Sequence, residues 1–188
     1  MRVLKILDEI SVLTEKIAPK WLAQPYSKIV PASEEQITDF ESKLGFALPE
    51  DYRAFLVKNY IRHNFEHNFE CLDLDGVIRD WSMMTELLKK GTFDDGRIEH
   101  HETGGFGNWH GDIIKKVWWS PSWIPVSRDS CGNMKCLDLA PGSAGISGQM
   151  TAMEVQDGQG PFATEYMSFL SYLETHRDYL RDGRFELF

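Results

Sequence analysis

The sequence predicts an α+β fold: N-terminal helices, a central and mainly antiparallel β-sheet, and a C-terminal helix packed on that sheet. Three observations carry this. The first sixty residues place apolar side chains at helical spacing between recognisable caps. After residue 112 the chain breaks into short runs of β-formers separated by Pro, Gly and Asn. Alternating βαβ units are absent, which removes Rossmann and TIM arrangements.

Val3, Leu4, Leu7, Ile10, Leu13 and Ile17 form the first helical stripe, which Pro19 stops. A turn region with Pro25 and Pro31 follows. Ser33-Glu34-Glu35-Gln36 reads as a capping box, in which the Ser hydroxyl accepts from the third helical N–H and Gln36 reaches back. The helix it opens buries Ile37, Phe40 and Leu44, and Gly45 ends it. Leu48-Pro49-Glu50-Asp51 starts a third helix, with Pro near the first turn and two acids favoured by the dipole; its stripe is Tyr52, Phe55, Leu56 and Tyr60. Strands are expected at Ile113–Trp119, Trp123–Ser127, Met134–Leu139 and Gln149–Val155, and Tyr166, Phe169, Leu170, Leu173 and Tyr179 mark a closing helix from about Glu165 to Leu180.

At 188 residues the chain has the size of one domain, and 42% apolar residues suffice for a core, which excludes wholesale disorder. Residues 1–25 are expected to be a helical extension of a single domain spanning 26–183. The net charge is −9, and the surplus acids lie in residues 31–80 and 129–188. Nucleic acid and anionic membrane are both polyanions, so the charge argues against either as partner and suits an electropositive protein. The first twenty residues are interrupted by Arg2, Lys5, Asp8, Glu9, Glu15 and Lys16, and no run of about twenty apolar residues occurs, so a cytoplasmic location is expected. Three cysteines are too few and odd in number for a disulfide framework.

Candidate chemistry is incomplete wherever it begins. His63 and His67 stand at i and i+4 with Glu66, Glu70 and Cys71 following, but Glu66 precedes the second His instead of following the first, unlike the zincin pattern. His100, His101, Glu102, His110 and Asp112 flank the Gly-rich segment 104–107; no Gly-Lys-Ser/Thr completes a phosphate loop, and His110 occupies the place of the third Gly in a dinucleotide fingerprint. Cys131 and Cys136 have neither zinc-knuckle spacing nor a second pair. No Gly-x-Ser-x-Gly elbow appears. The expectation is no cofactor, no metal and no enzyme. A small metal-dependent or hydrolytic enzyme built on His100, His101, His110 and Asp112 is the third-ranked alternative.

The densest pattern is Trp118-Trp119, then Trp123-Ile124-Pro125-Val126, Asp129, Gly132-Asn133, Cys136-Leu137-Asp138-Leu139, Pro141-Gly142 and Gly148-Gln149. Asp129 to Asn133 reads as a turn, with Gly132 and Asn133 suited to positive φ; Asp138 alternates with Leu137 and Leu139 and so belongs on the opposite face or at a strand end. This ordered string resembles the SUKH superfamily of fungal cell-wall assembly regulators and bacterial immunity proteins. The N-terminal part fits the same pattern at Pro31, Glu34-Glu35, Ile37, Phe40-Glu41, Leu44-Gly45, Leu48-Pro49, Asp51-Tyr52 and Phe55-Leu56, as do Ser168-Phe169-Leu170, so the resemblance covers about residues 30–180. Two positions depart from it: Asn59 precedes Tyr60 where the family has Asn-Gly, and Ala140 replaces an acid before Pro-Gly.

The resemblance implies a non-enzymatic protein-binding module, foremost an immunity protein that neutralises a basic, nuclease-type toxin by occlusion. The alternative it implies is a regulatory adaptor or scaffold of cell-wall or signalling type. For either, the expected partner-binding residues are Trp109, Trp118, Trp119, Trp123, Asp129, Asn133 and Asp138, with Trp81 a further aromatic candidate. Tryptophans are also common in cores, and Trp81 and Trp123 are the first candidates for that role. The sequence assigns no oligomeric state.

Overall fold

A computed structural model describes residues 1–17, 30–58, 69–93, 112–155 and 160–183. Its elements are α1 (Arg2–Ile17), α2 (Glu34–Leu44), α3 (Glu50–Val57), β1 (Glu70–Cys71), α4 (Leu74–Lys89), β2 (Trp123–Arg128), β3 (Met134–Asp138), β4 (Gln149–Glu154), β5 (Gly160–Ala163) and α5 (Phe169–Arg181). The strands form one antiparallel sheet in the order β1-β2-β3-β4-β5. This is the expected α+β class, helices first and last with the sheet between.

The local signals act as their chemistry requires. Ser33 accepts from the Gln36 N–H, and the Gln36 side chain accepts from the Ser33 N–H. Gly45 ends α2 at φ 74°, a left-handed conformation that costs a side-chain-bearing residue about 1 kcal/mol or more. α5 starts with its own reciprocal cap between Ser168 and Ser171, and the Leu170 N–H donates to Asp51 Oδ2 at 3.0 Å, joining the first turns of α3 and α5. Sequence placed the start of this helix near Glu165; it begins at Phe169, because Ser168 is the cap.

Both faces of the sheet are covered. Ile124, Val126, Leu137, Leu139 and Met150 meet side chains of α1, α2, α3 and α5 in the main core. Trp123, Met134, Cys136 and Met153 meet Met84, Trp118 and Trp119 in a second core. Tyr52, Phe55 and Phe169 form a buried aromatic trio in the first, with centroid separations of 5.0–5.9 Å. α4 contributes to both cores, Leu74 and Val77 to the first and Met84 to the second.

Val3, Ile6, Leu7 and Ile10 of α1 are buried in the main core, where the helix packs chiefly on α5 and also on α3. The N-terminal helix is therefore an intramolecular layer. Ion pairs of Arg177 and Arg181 with Glu9 and of Arg2 with Glu174 ring its contact with α5.

Three expectations need correction or supplement. Residues 113–119 form no strand; the carbonyl of Ile113 accepts from Gly142 N–H and Gln149 Nε2, and that of Asp112 from Ala144 N–H, so this backbone bonds to a loop and not to a ladder. Helix α4 was not anticipated, although Asp73 caps it through the Gly76 N–H. Strands β1 and β5 were also missed; β1 has two residues, and β5 is an edge strand carrying Pro161. Pro19, Pro25, Tyr60, His63, Glu66, His67, His100, His101, Glu102, the 104–107 segment, Trp109 and His110 lie outside the described residues.

Candidate protein-interaction site

The polar residues of the Trp123–Gln149 string are occupied in holding the chain together. Asp129 Oδ1 accepts from the Cys131 and Asn133 N–H groups, and Oδ2 accepts from Asn133 Nδ2, all within 2.9 Å. Asn133 Oδ1 in turn accepts from the Val155 N–H, tying the β2–β3 turn to the end of β4. Gly132 sits in that turn at φ 90°, as its position predicts.

Trp123, Asp138 and Gln149 are register partners across β2, β3 and β4, so they share the face of the second core. Asp138 does lie opposite Leu137 and Leu139, but that face is also covered and its exposure is 0%. Burial pushes the Asp138 carboxyl above the ordinary range; the Ala140 N–H on Oδ1, the adjacent Trp123 and Gln149 side chains and the Lys115 charge pull it part of the way back. Gln149 Oε1 accepts from the Ile146 N–H while its Nε2 donates to the Ile113 carbonyl. Gly142 and Gly145 let the loop meet residues 112–114, since a Cβ on either would stand about 2 Å from a backbone oxygen.

Trp123 takes the core place that the sequence also offers it, and Trp118 and Trp119 join it there. Trp118, Trp119 and Trp123 are 8%, 1% and 0% exposed and belong to the second core. Trp119 and Trp123 meet edge to face at 5.9 Å, and Trp119 Nε1 donates to Thr85 Oγ1. A partner docking on the fold as it stands does not reach these rings. Trp81 is half-buried, with its Nε1 donating to the Pro121 carbonyl and its ring edge-on to Phe40. Asp129 and Asn133 remain partly exposed at the hairpin tip, beside the exposed Cys131.

Charge is presented elsewhere. Glu34, Glu35 and Asp39 of α2 and Glu50 of α3 are exposed, and Glu35, Asp39 and Glu50 make no ion pair among the described residues. Arg53 is the cation between the two helices, paired with both Glu34 and Glu41. Glu41 is partly buried. Burial alone would raise its pKa, but the Arg53 guanidinium and the Leu48 N–H on Oε1 outweigh that and hold it below the ordinary carboxylate range. Its contribution to stability is thus present above the unfolded pKa of about 4.3 and is lost as pH falls through the lower folded value. Glu41→Gln should destabilise by about 1–2 kcal/mol at pH 7, and the difference from the parent should shrink in urea melts as pH falls below the unfolded value and through the lower folded one.

Among the described residues no group of three His, Cys, Asp or Glu side chains is placed to hold a metal ion. Cys136 is buried and its thiol is pushed far up by that burial, with the Asp138 charge adding to the shift, so it is neutral at physiological pH. No helix among these residues is long and apolar enough to cross a membrane.

A five-stranded antiparallel meander with helices on both faces, locked by the Asp129–Asn133 turn and the Trp123–Asp138–Gln149 row, defines the class of fold. The family model for the SMI1 / KNR4 family (SUKH-1) matches residues 31–174, and the chain belongs to that family. It is similar to the cell wall biosynthesis/cell cycle regulator smi1 of Schizosaccharomyces pombe, 25% identical over 153 residues, covering 74% of this chain and 30% of that protein. It is also similar to the uncharacterized protein YnaB of Bacillus subtilis, 42% identical over 48 residues, covering 26% of this chain and 33% of that one. The matches span about a third of the length of these curated relatives.

Proposed function

We propose that the chain is a non-enzymatic protein-binding module that acts as an immunity protein, neutralising a basic, nuclease-type toxin by covering it. The observation that carries this is the exposed acidic surface of α2 and the start of α3, where Glu35, Asp39 and Glu50 have no ion-pair partner among the described residues. Domains of this family are protein-interacting modules. Nucleases carry basic surfaces because they bind polyanions, so unpaired carboxylates supply both steering and complementarity. The signature polar residues Asp129, Asn133 and Gln149 spend their hydrogen bonds on the chain's own backbone, which fits a scaffold better than a reaction centre. On this reading the protein acts in the cytoplasm and needs no cofactor.

The test starts from the adjoining reading frames: the immunity role requires that one of them encode a nuclease that this chain inhibits. One equivalent of the chain should abolish its cleavage of nucleic acid. Glu35→Lys with Asp39→Lys should slow association and weaken binding about tenfold at low salt, with the difference fading near 1 M salt, where the Debye length is about 3 Å. Residual cleavage at excess chain would refute the immunity role. Binding unchanged by the double reversal would remove α2 from the interface.

A second reading is favoured by one finding. The fission-yeast relative, named as a cell wall biosynthesis and cell cycle regulator, matches 74% of this chain. A regulatory adaptor would use the same surface on a partner that has no toxic activity.

A further inference from the structure

We infer that Asp138 is a pH-sensitive latch on the second core: its neutral carboxyl holds the 139–148 loop and the 112–114 segment closed, and its ionisation loosens them. Such a latch belongs to the fold itself and does not depend on which partner the domain covers.

The side chain is set where a charge is poorly received. Asp138 ends β3, faces the second core and is 0% exposed. Oδ1 accepts from the Ala140 N–H at 3.1 Å, whereas Oδ2 is buried and accepts no hydrogen bond of normal geometry. An ionised carboxylate offers about four acceptor sites, so a single bond leaves most of its charge unanswered. Its register partner Trp123 is as deeply buried, and the indole N–H closes no hydrogen bond of normal geometry either. Burying a charge without partners costs far more than burying the neutral acid. Burial accordingly pushes this carboxyl up, and the neighbouring donors and Lys115 offset only part of the rise.

Few other charges face it among the described residues. The 139–148 loop carries no titratable side chain, and on β4 the one titratable group, Glu154, stands at the far end, opposite Gly160. Asp112, Lys115 and Lys116 come from the segment beside the loop, all exposed, and of these Lys115 acts on the carboxyl. Cys136 on β3 faces the same core as a neutral thiol. Asp80 on α4 is answered by Arg79 and by Arg128 of β2.

The same strand end carries the loop on which residues 112–114 rest. The Asp138 carbonyl accepts from the Gly148 N–H at 2.7 Å, and Gln149, opposite Asp138 in register, donates Nε2 to the Ile113 carbonyl. Gly142 and Ala144 N–H groups donate to the Ile113 and Asp112 carbonyls. Water reaches Oδ2 only when this layer lifts, so the demand of the anion for solvation works against these bonds. The unfolded carboxyl titrates near about 3.9 and the folded one higher. The penalty is therefore absent below the unfolded value, grows as pH rises through the folded value and is complete above it. This is opposite in sign to Glu41.

The experiment follows amide exchange of the intact chain from about pH 5 to about pH 8, corrected for the intrinsic pH dependence of exchange. Protection of the Gly142 and Ala144 N–H groups should fall at least about threefold as pH rises, while the Phe40 and Leu44 amides of α2 stay level. Asp138→Asn keeps an acceptor for Ala140 and cannot ionise, so its protection should be flat over the same range. Carboxyl-carbon NMR of the parent needs no variant: Asp138 should titrate above the ordinary Asp value, and protection should change at that same pH. An Asp138 that titrates at or below the ordinary value, protection that is flat in the parent, or an unchanged pH dependence in Asp138→Asn would overturn the inference.

Discussion

Trp123→Ala should destabilise the protein by about 3–5 kcal/mol, lowering its melting temperature by about 6–20 °C. The side chain is fully buried between the sheet and α4, and its ring meets Trp119 edge to face. Truncation removes the transfer energy of an indole and leaves a void that the flanking strands cannot close, because Trp123 is pinned in register with Asp138. The Asp138 carboxyl would also lose the indole beside it while remaining buried. Calorimetric melting of the purified variant measures the loss. A variant that melts like the parent but binds its partner poorly would put Trp123 in the interface, the other of the two roles the sequence offers it.

The second large effect is expected at Gly142. Its backbone lies against residues 112–114, and a Cβ there would stand 2.0 Å from the Asp112 carbonyl oxygen and 2.7 Å from its carbon. Those atoms are backbone and cannot rotate away, so Gly142→Ala should cost about 3 kcal/mol, the upper part of the range for overpacking. The damage should be local to the 112–120 segment, whose Trp118 and Trp119 seal the second core. Gly45→Ala is the natural comparison. Nothing lies within 4 Å of its would-be Cβ, so only the φ of 74° is strained and about 1 kcal/mol is expected. Chemical denaturation should rank Gly142→Ala well below Gly45→Ala in stability. The reverse order would mean that the 112–114 segment yields easily.

What the sequence revealed and what it hid follow from how local each signal is. Ser33 with Gln36, Gly45, and the stripes Val3–Ile10 and Phe169–Leu173 are decided within one or two helical turns, and the structure agrees with them. The strands at 123, 134 and 149 were legible because Gly132-Asn133 and Pro141-Gly142 punctuate them. Helix α4 had comparable signals in Asp73 and the Leu74, Val77, Met84 spacing; missing it had consequences for the site. Without α4 the sheet has one open face, and alternation then leaves Asp138 and its cross-strand partners on it. With α4 in place both faces are buried and the same alternation sends them into a second core. The 113–119 run misled differently: Ile, Val and Trp are β-formers by composition, but here they pack as irregular backbone against a loop.

The proposed immunity role requires that this molecule work by covering a basic protein. Titration calorimetry of the intact chain against whatever basic nuclease an adjoining reading frame encodes, at low and high salt, measures this directly. A one-to-one complex is expected, with a dissociation constant that rises at least about tenfold as salt increases. Absence of binding heat at low salt, or an affinity indifferent to salt, would contradict it.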